Sequence, residues 1–203
     1  MINWDNLTNA TVEQWPYKHI VVENFIDADV CAQVYDEIAP RFNDMRQPDM
    51  GGWPVLSTEG IHSELCYQLA NWGHLGNDWG PIMKKIGALN KEPKPISMGY
   101  QANAHDMNFG PHNDCLDITG SAAKILIHIS KGHPGTKVYD GTTLGDDLGS
   151  NETDLAKYEV SETTGNVGTA FIFPCTDMSY HGTDFSSLTQ DDKRILLAGQ
   201  WNG

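Results

Sequence analysis

The chain has 203 residues, enough for one hydrophobic core but not comfortably for two unrelated domains, so residues 1–203 read as a single domain. Thirteen basic residues against 27 acidic ones give a formal net charge of −14, which repels nucleic-acid phosphates and anionic lipid surfaces and argues against both as partners. The polar start over residues 1–15 lacks the basic and apolar blocks of a secretory signal, and no stretch approaches the roughly 20 apolar residues of a membrane span. A cytoplasmic location is the expectation. Cys31, Cys66, Cys115 and Cys175 stand far apart without a C-x-x-C pair, which predicts thiols rather than a disulfide scaffold or a zinc cluster.

In chain order, residues 19–25 are rich in Ile and Val and read as a strand. Asp27 or Asp29 then caps a helix whose apolar stripe is Val30, Val34 and Ile38, with Pro40 near its end. A second helix is predicted from Ile61, with Leu65 and Leu69 on one stripe, and a third around Trp79, Ile82, Met83 and Ile86. Residues 1–94 thus supply mostly helical support with an opening strand. From Pro95 the texture changes to short extended runs punctuated by Gly, Pro, Asn and Asp, with strands predicted at residues 96–101, 123–130, 137–139, 167–174 and 194–201. Residues 140–166 form a polar, acidic excursion with one helical turn predicted at 154–158. Helices first and antiparallel strands afterwards point to a mainly β fold with flanking helices, a sandwich or jelly roll, its core in residues 95–203.

An iron that must bind both an oxidisable acid and dioxygen needs about three protein ligands on one side and open positions on the other, and two His plus one carboxylate supply that face. With 8 His and 27 acids in 203 residues, chance provides about one His-x-Asp/Glu triplet, so context has to decide. The chain holds two. His62-Ser63-Glu64 falls in a predicted helix, where residues two apart point roughly 200° apart and cannot grip one ion. His112-Asn113-Asp114 follows Gly110-Pro111, where an extended chain is natural and both side chains face the same way. His181, after a strand ending in Phe171-Ile172-Phe173-Pro174 and a short polar turn, is the best third ligand. A dianionic co-substrate also needs a cation away from the metal, and Arg194, opening the last strand, offers a planar two-donor fork. Lys124 is a weaker rival anchor. His105 reads as a polar loop residue and His128 as a mid-strand interior or outward His. His19, His74 and His133 have no visible partner in the sequence.

The order Gly110-Pro111-His112-Asn113-Asp114, then Phe171-Ile172-Phe173-Pro174 with His181-Gly182, then Arg194, resembles the 2-oxoglutarate/Fe(II)-dependent dioxygenases, and most of all their prolyl 4-hydroxylase-like branch. His19-Ile20-Val21-Val22-Glu23-Asn24-Phe25 and Gly132-His133-Pro134-Gly135-Thr136 extend the likeness over most of the chain. The resemblance implies a double-stranded β-helix of the cupin-like, jelly-roll kind. It also implies Fe(II) on His112, Asp114 and His181, with 2-oxoglutarate and O2 as co-substrates and ascorbate as a reductant. Arg194 would hold the far carboxylate of 2-oxoglutarate, assisted by Tyr100. The implied reaction is hydroxylation of an aliphatic C–H bond in a small molecule or peptide, a prolyl residue or a free amino acid being the expected acceptor. The rival reading is a jelly-roll protein that binds a ligand without catalysis.

Overall fold

The structure, a computed structural model, describes residues 1–44, 63–71, 79–88, 94–103, 109–114, 121–144, 158–163, 165–184, 187–189 and 191–202. The first half carries α1 (Trp4–Asn9), β1 (Val12–Glu13), β2 (His19–Val22), α2 (Ala28–Ile38), α3 (Glu64–Asn71) and α4 (Gly80–Ile86). Asn3 caps α1 by accepting from the Asn6 amide at 3.1 Å. Gly87 ends α4 at φ +77°, a left-handed conformation in which a side chain would be strained. The second half is β3 (Lys94–Asn103), β4 (Phe109–His112), β5 (Ser121–His128), β6 (Lys137–Tyr139), α5 (Gly141–Leu144), β7 (Glu159–Glu162), β8 (Ala170–Pro174), β9 (His181–Thr183) and β10 (Arg194–Asn202).

These strands form two antiparallel sheets, a six-stranded one in the order β1-β2-β8-β5-β10-β3 and a four-stranded one in the order β4-β9-β6-β7. Apart from β1–β2 and β6–β7, neighbouring strands are not consecutive in sequence, the connectivity of a jelly roll. The expected fold class is what the chain adopts. Successive side chains on a strand point to opposite faces, so each strand of the large sheet serves two environments. Ile20, Val22, Ile125, Ile127, Ile172, Ile195, Leu197 and Trp201 pack on one face with Val34, Ile38, Leu69, Met83 and Ile86 of the helices, all in one buried cluster. Each such burial contributes roughly 1.5–3 kcal/mol relative to exposure. The alternate residues Phe171 and Phe173 join Val138 of the small sheet in a second cluster, which marks the space between the sheets.

Gly168 ties the helical half to the sheet. Its carbonyl accepts from the Phe25 and Ile26 amides, and its own amide donates to the His128 carbonyl at 2.7 Å. At φ +79° a Cβ there would stand 2.1 Å from the Ile26 carbonyl oxygen, so only glycine allows this approach.

Some elements match expectation and others differ from it. Helix α2 ends at Ile38, close to Pro40 as expected, and the chain continues as a 3-10 helix over Ala39–Asp44. Part of the acidic excursion is β7, which pairs with β6, Lys137 opposite Glu162, and is held by a 2.7 Å ion pair between Lys137 and Glu159. Strand β9 begins at His181, directly after the polar turn that follows Pro174, as expected. Helices α1 and α5 and strands β1 and β4 had not been read as elements. The helical turn at 154–158 lies largely outside the described residues, as do Ile61, His62, His74, His105 and Cys115. Among the described residues no helix is long and apolar enough to cross a membrane.

Candidate metal centre

His112 closes β4 and His181 opens β9, and the two are direct cross-strand partners. Their ring centroids lie 4.4 Å apart. Asp114 follows two residues after His112, and one ligand atom from each of the three side chains falls within 4.8 Å of the others. Bonds of about 2.1 Å to a single ion space ligand atoms by about 3–4 Å, so small side-chain adjustments suffice to close the set. Of the other triplet, Ser63 precedes α3 and Glu64 opens it, while His62 lies outside the described residues.

Both imidazoles are oriented by the main chain. His112 Nδ1–H donates to the Gly110 carbonyl at 2.9 Å, and His181 Nδ1–H donates to the Ser179 carbonyl at 3.0 Å. A carbonyl can only accept, so each Nδ1 carries a hydrogen and each Nε2 lone pair is left to face the centre. Tying the distal nitrogen in this way is how metal-binding histidines are commonly fixed. Burial, and then the neighbouring His181, push the His112 pKa down to about 4, which keeps it neutral and able to ligate at neutral pH. Burial alone would raise the Asp114 carboxyl, but the adjacent His181, with help from Lys124 and His112, holds it well below the usual carboxylate range. Asp114 Oδ2 stands 3.3 Å from His181 Nε2. Two electron-rich atoms at that separation call for a positive centre between them, a proton or a metal ion. Phe173, 4.4 Å from the His181 ring, walls one side.

Arg194 opens β10 on the cavity-facing side, only 2% exposed, and donates Nη1–H to Asn103 Oδ1 at 3.1 Å. The two residues are register partners, so β3 presents Asn103 beside the guanidinium. Burial lowers the Arg194 pKa to about 9, offset in part by Glu162, and the group stays charged at neutral pH. The same end of the cavity carries His128 Nε2, Thr169 Oγ1 and Thr136 Oγ1, each buried with no hydrogen-bond partner among the described residues. Orphaned polar atoms at such depth are costly unless a ligand or water satisfies them. Thr136 precedes by two residues Val138, the cross-strand partner of His181. At about 3.3 Å per residue Thr136 of this polar floor lies roughly 7 Å along its strand from the level of His181. A donor set for a metal at one end and a buried cation with unsatisfied polar atoms at the other fits a short dianion that chelates the metal, such as 2-oxoglutarate.

Tyr100 does not share this cavity, and its expected role is corrected. It pairs with Leu197, an odd number of residues from Arg194, so its side chain leaves the sheet on the helix-facing side. There its hydroxyl donates to the Cys66 carbonyl of α3 at 3.0 Å. Lys124 is on the cavity face but reaches Asp114 rather than the floor, Nζ to Oδ1 being 3.1 Å. Asn103, Thr136 and Thr169 had no signal in the sequence, because nothing local to them distinguishes the two faces of a strand. His128 lies inward, as one of the two expected alternatives had it.

No family model matches the chain, and no curated protein sequence matches it. Solved structures do. A Pseudomonas putida prolyl-4-hydroxylase aligns over 98% of this chain and 95% of its own, at 14% identity and a TM-score of 0.57. HygX from Streptomyces hygroscopicus, solved with nickel and 2-oxoglutarate bound, aligns over 91% and 82%, at 13% identity and a TM-score of 0.61. The chain has the fold of the 2-oxoglutarate/Fe(II) oxygenases. SnoN, a non-heme α-ketoglutarate-dependent epimerase of nogalamycin biosynthesis, aligns over 90% and 76%, at 12% identity and a TM-score of 0.59. The 2-oxoglutarate/Fe(II) oxygenase fold therefore accommodates more than one reaction, and the site rather than the fold has to argue the chemistry.

Proposed function

We propose that this chain is a 2-oxoglutarate-dependent Fe(II) oxygenase that hydroxylates an aliphatic C–H bond in a small molecule or peptide, a prolyl residue or a free amino acid being the candidate acceptors. The observation that carries the reading is the convergence of His112, Asp114 and His181, both imidazoles fixed through Nδ1, at one end of a cavity whose other end holds Arg194. In this reading His112 Nε2, His181 Nε2 and one Asp114 oxygen would hold Fe(II) from one side, leaving the other side for co-substrate and dioxygen. Bound iron, with O2 and 2-oxoglutarate, would supply the oxidising power, the ketoacid leaving as succinate and CO2.

The protein's own residues perform the remaining tasks. Arg194 receives the far carboxylate of the co-substrate, where two parallel N–H donors match its planar geometry. The orphaned Thr136, Thr169 and His128 atoms gain partners at the same time. Phe173, Phe171 and Val138 exclude water from the space between the sheets. Ascorbate enters only as an external reductant.

Anaerobic addition of Fe(II) and 2-oxoglutarate should produce a weak visible metal-to-ligand band. A screen of peptides and amino acids should then find one that stimulates succinate formation. His112→Ala should lose both signals. Absence of the band in the wild-type protein would instead favour a jelly roll that binds a ligand without turnover.

A further inference from the structure

We infer that Lys124 is a positioning residue that restricts Asp114 to a one-oxygen grip on the metal. The inference rests on the triad reading above. Lys124 sits in mid-strand on β5, with Gln200 of β10 and Phe173 of β8 as its register partners. Its neighbours Ala123 and Ile125 belong to the helix-facing core, so alternation sends Lys124 into the space between the sheets. From there it spans from the large sheet to the triad.

The two oxygens of Asp114 consequently have different surroundings. Oδ1 is 3.1 Å from Lys124 Nζ, whereas Oδ2 is 3.3 Å from His181 Nε2. A metal shared with His181 meets Oδ2, while Oδ1 is held by the ammonium. Exposed ion pairs orient little, because water screens them and both side chains wander. Here the side chains are only 16% and 10% exposed, and the Lys124 stem is fixed within a strand paired on both sides.

Denticity matters to the proposed reaction. Three protein donors leave three of six positions, which a chelating ketoacid and dioxygen fill completely. A carboxylate that gripped through both oxygens would occupy one of them. Lys124 therefore keeps a coordination position open by holding an oxygen that is not a ligand.

The test uses full-length wild-type protein, Lys124→Met and Lys124→Arg, each loaded anaerobically with Mn(II). Metal-induced infrared difference spectra with 13C-labelled aspartate read the separation of the two carboxylate stretches, wide for one-oxygen and narrow for two-oxygen ligation. We expect a wide separation in wild type and Lys124→Arg and a narrow one in Lys124→Met. The Mn(II)-loaded Lys124→Met protein should also bind 2-oxoglutarate about tenfold more weakly by calorimetry, in the range typical for residues that orient a metal ligand. The infrared separation decides: a wide separation in Lys124→Met overturns the role. Circular dichroism checks folding, and Lys124→Gln, with the same expectation, replaces a Met variant that does not fold. Wild-type protein that takes up no Mn(II) defeats the triad reading itself, whereas uptake with identical spectra in all proteins defeats only the assignment of Lys124.

Discussion

The two faces of the six-stranded sheet are made from the same strands yet have opposite chemistry. Towards the helices, β5 and β10 present Ile125, Ile127, Ile195, Leu197 and Trp201, all buried in one apolar cluster. Towards the small sheet they present Lys124, His128 and Arg194, of which the last two are almost fully buried. One face stabilises the fold, and the other places charge where water cannot follow. Stability and chemistry are thus separated by nothing more than odd and even positions along a strand. Substitutions on the two faces should fail in different ways.

The largest effect should come from the helix face. Trp201 is fully buried, its ring centroid 4.8 Å from that of Trp79, and Trp201→Ala should cost about 3–5 kcal/mol in urea denaturation. Arg194→Met, on the other face, should leave the unfolding midpoint nearly unchanged while weakening 2-oxoglutarate binding about 100-fold. Comparable unfolding losses in the two variants would break the division.

A smaller effect is expected from pH. His128 lies 1% exposed on the cavity face, and burial, together with the charges of Arg194 and His133, lowers its pKa from 6.5 to about 3. Its folded-state pKa is below its unfolded value, so between these two values the unfolded chain binds a proton that the folded one does not. The contribution of His128 is therefore fully present above about pH 6.5 and declines as the pH falls towards 3. At pH 5 the loss is about 2 kcal/mol. Denaturation at pH 7 and pH 5 should show this loss in wild type and remove that part of it in His128→Leu, the part due to His112 remaining. An unchanged pH dependence in the variant would mean that His128 is charged or exposed in the folded protein.

Tyr100→Phe should have the smallest effect. Losing the hydrogen bond to the Cys66 carbonyl costs about 1 kcal/mol of stability, with 2-oxoglutarate affinity unaltered. A weaker co-substrate affinity in calorimetry would return Tyr100 to the cavity face.

Much of this was legible locally. The stripe Ile82, Met83 and Ile86 predicted the buried residues of α4, and that of α2 held for Val34 and Ile38, with Cys31 buried in place of Val30, because a helix brings its own residues i, i+3 and i+4 onto one side. The extended conformation after Gly110-Pro111 put His112 and Asp114 on one side for the same kind of reason. A strand is less informative about itself. The run Lys124-Ile125-Leu126-Ile127-His128 is too apolar to announce which face is which, and Tyr100 entered as a candidate through the resemblance, not through its strand pattern.

By itself, then, the sequence determined helices α2, α3 and α4, most of the strands, the candidate ligands His112, Asp114 and His181, and the candidate cation Arg194, since each is a property of residue type and near-neighbour spacing. Tertiary structure alone decided that His112 and His181 are cross-strand partners, that Asn103 rather than Tyr100 meets Arg194, and that Lys124 holds one oxygen of Asp114. Those outcomes depend on strand register between segments up to 91 residues apart. A shift of one residue in any pairing would send the same side chains to the opposite face.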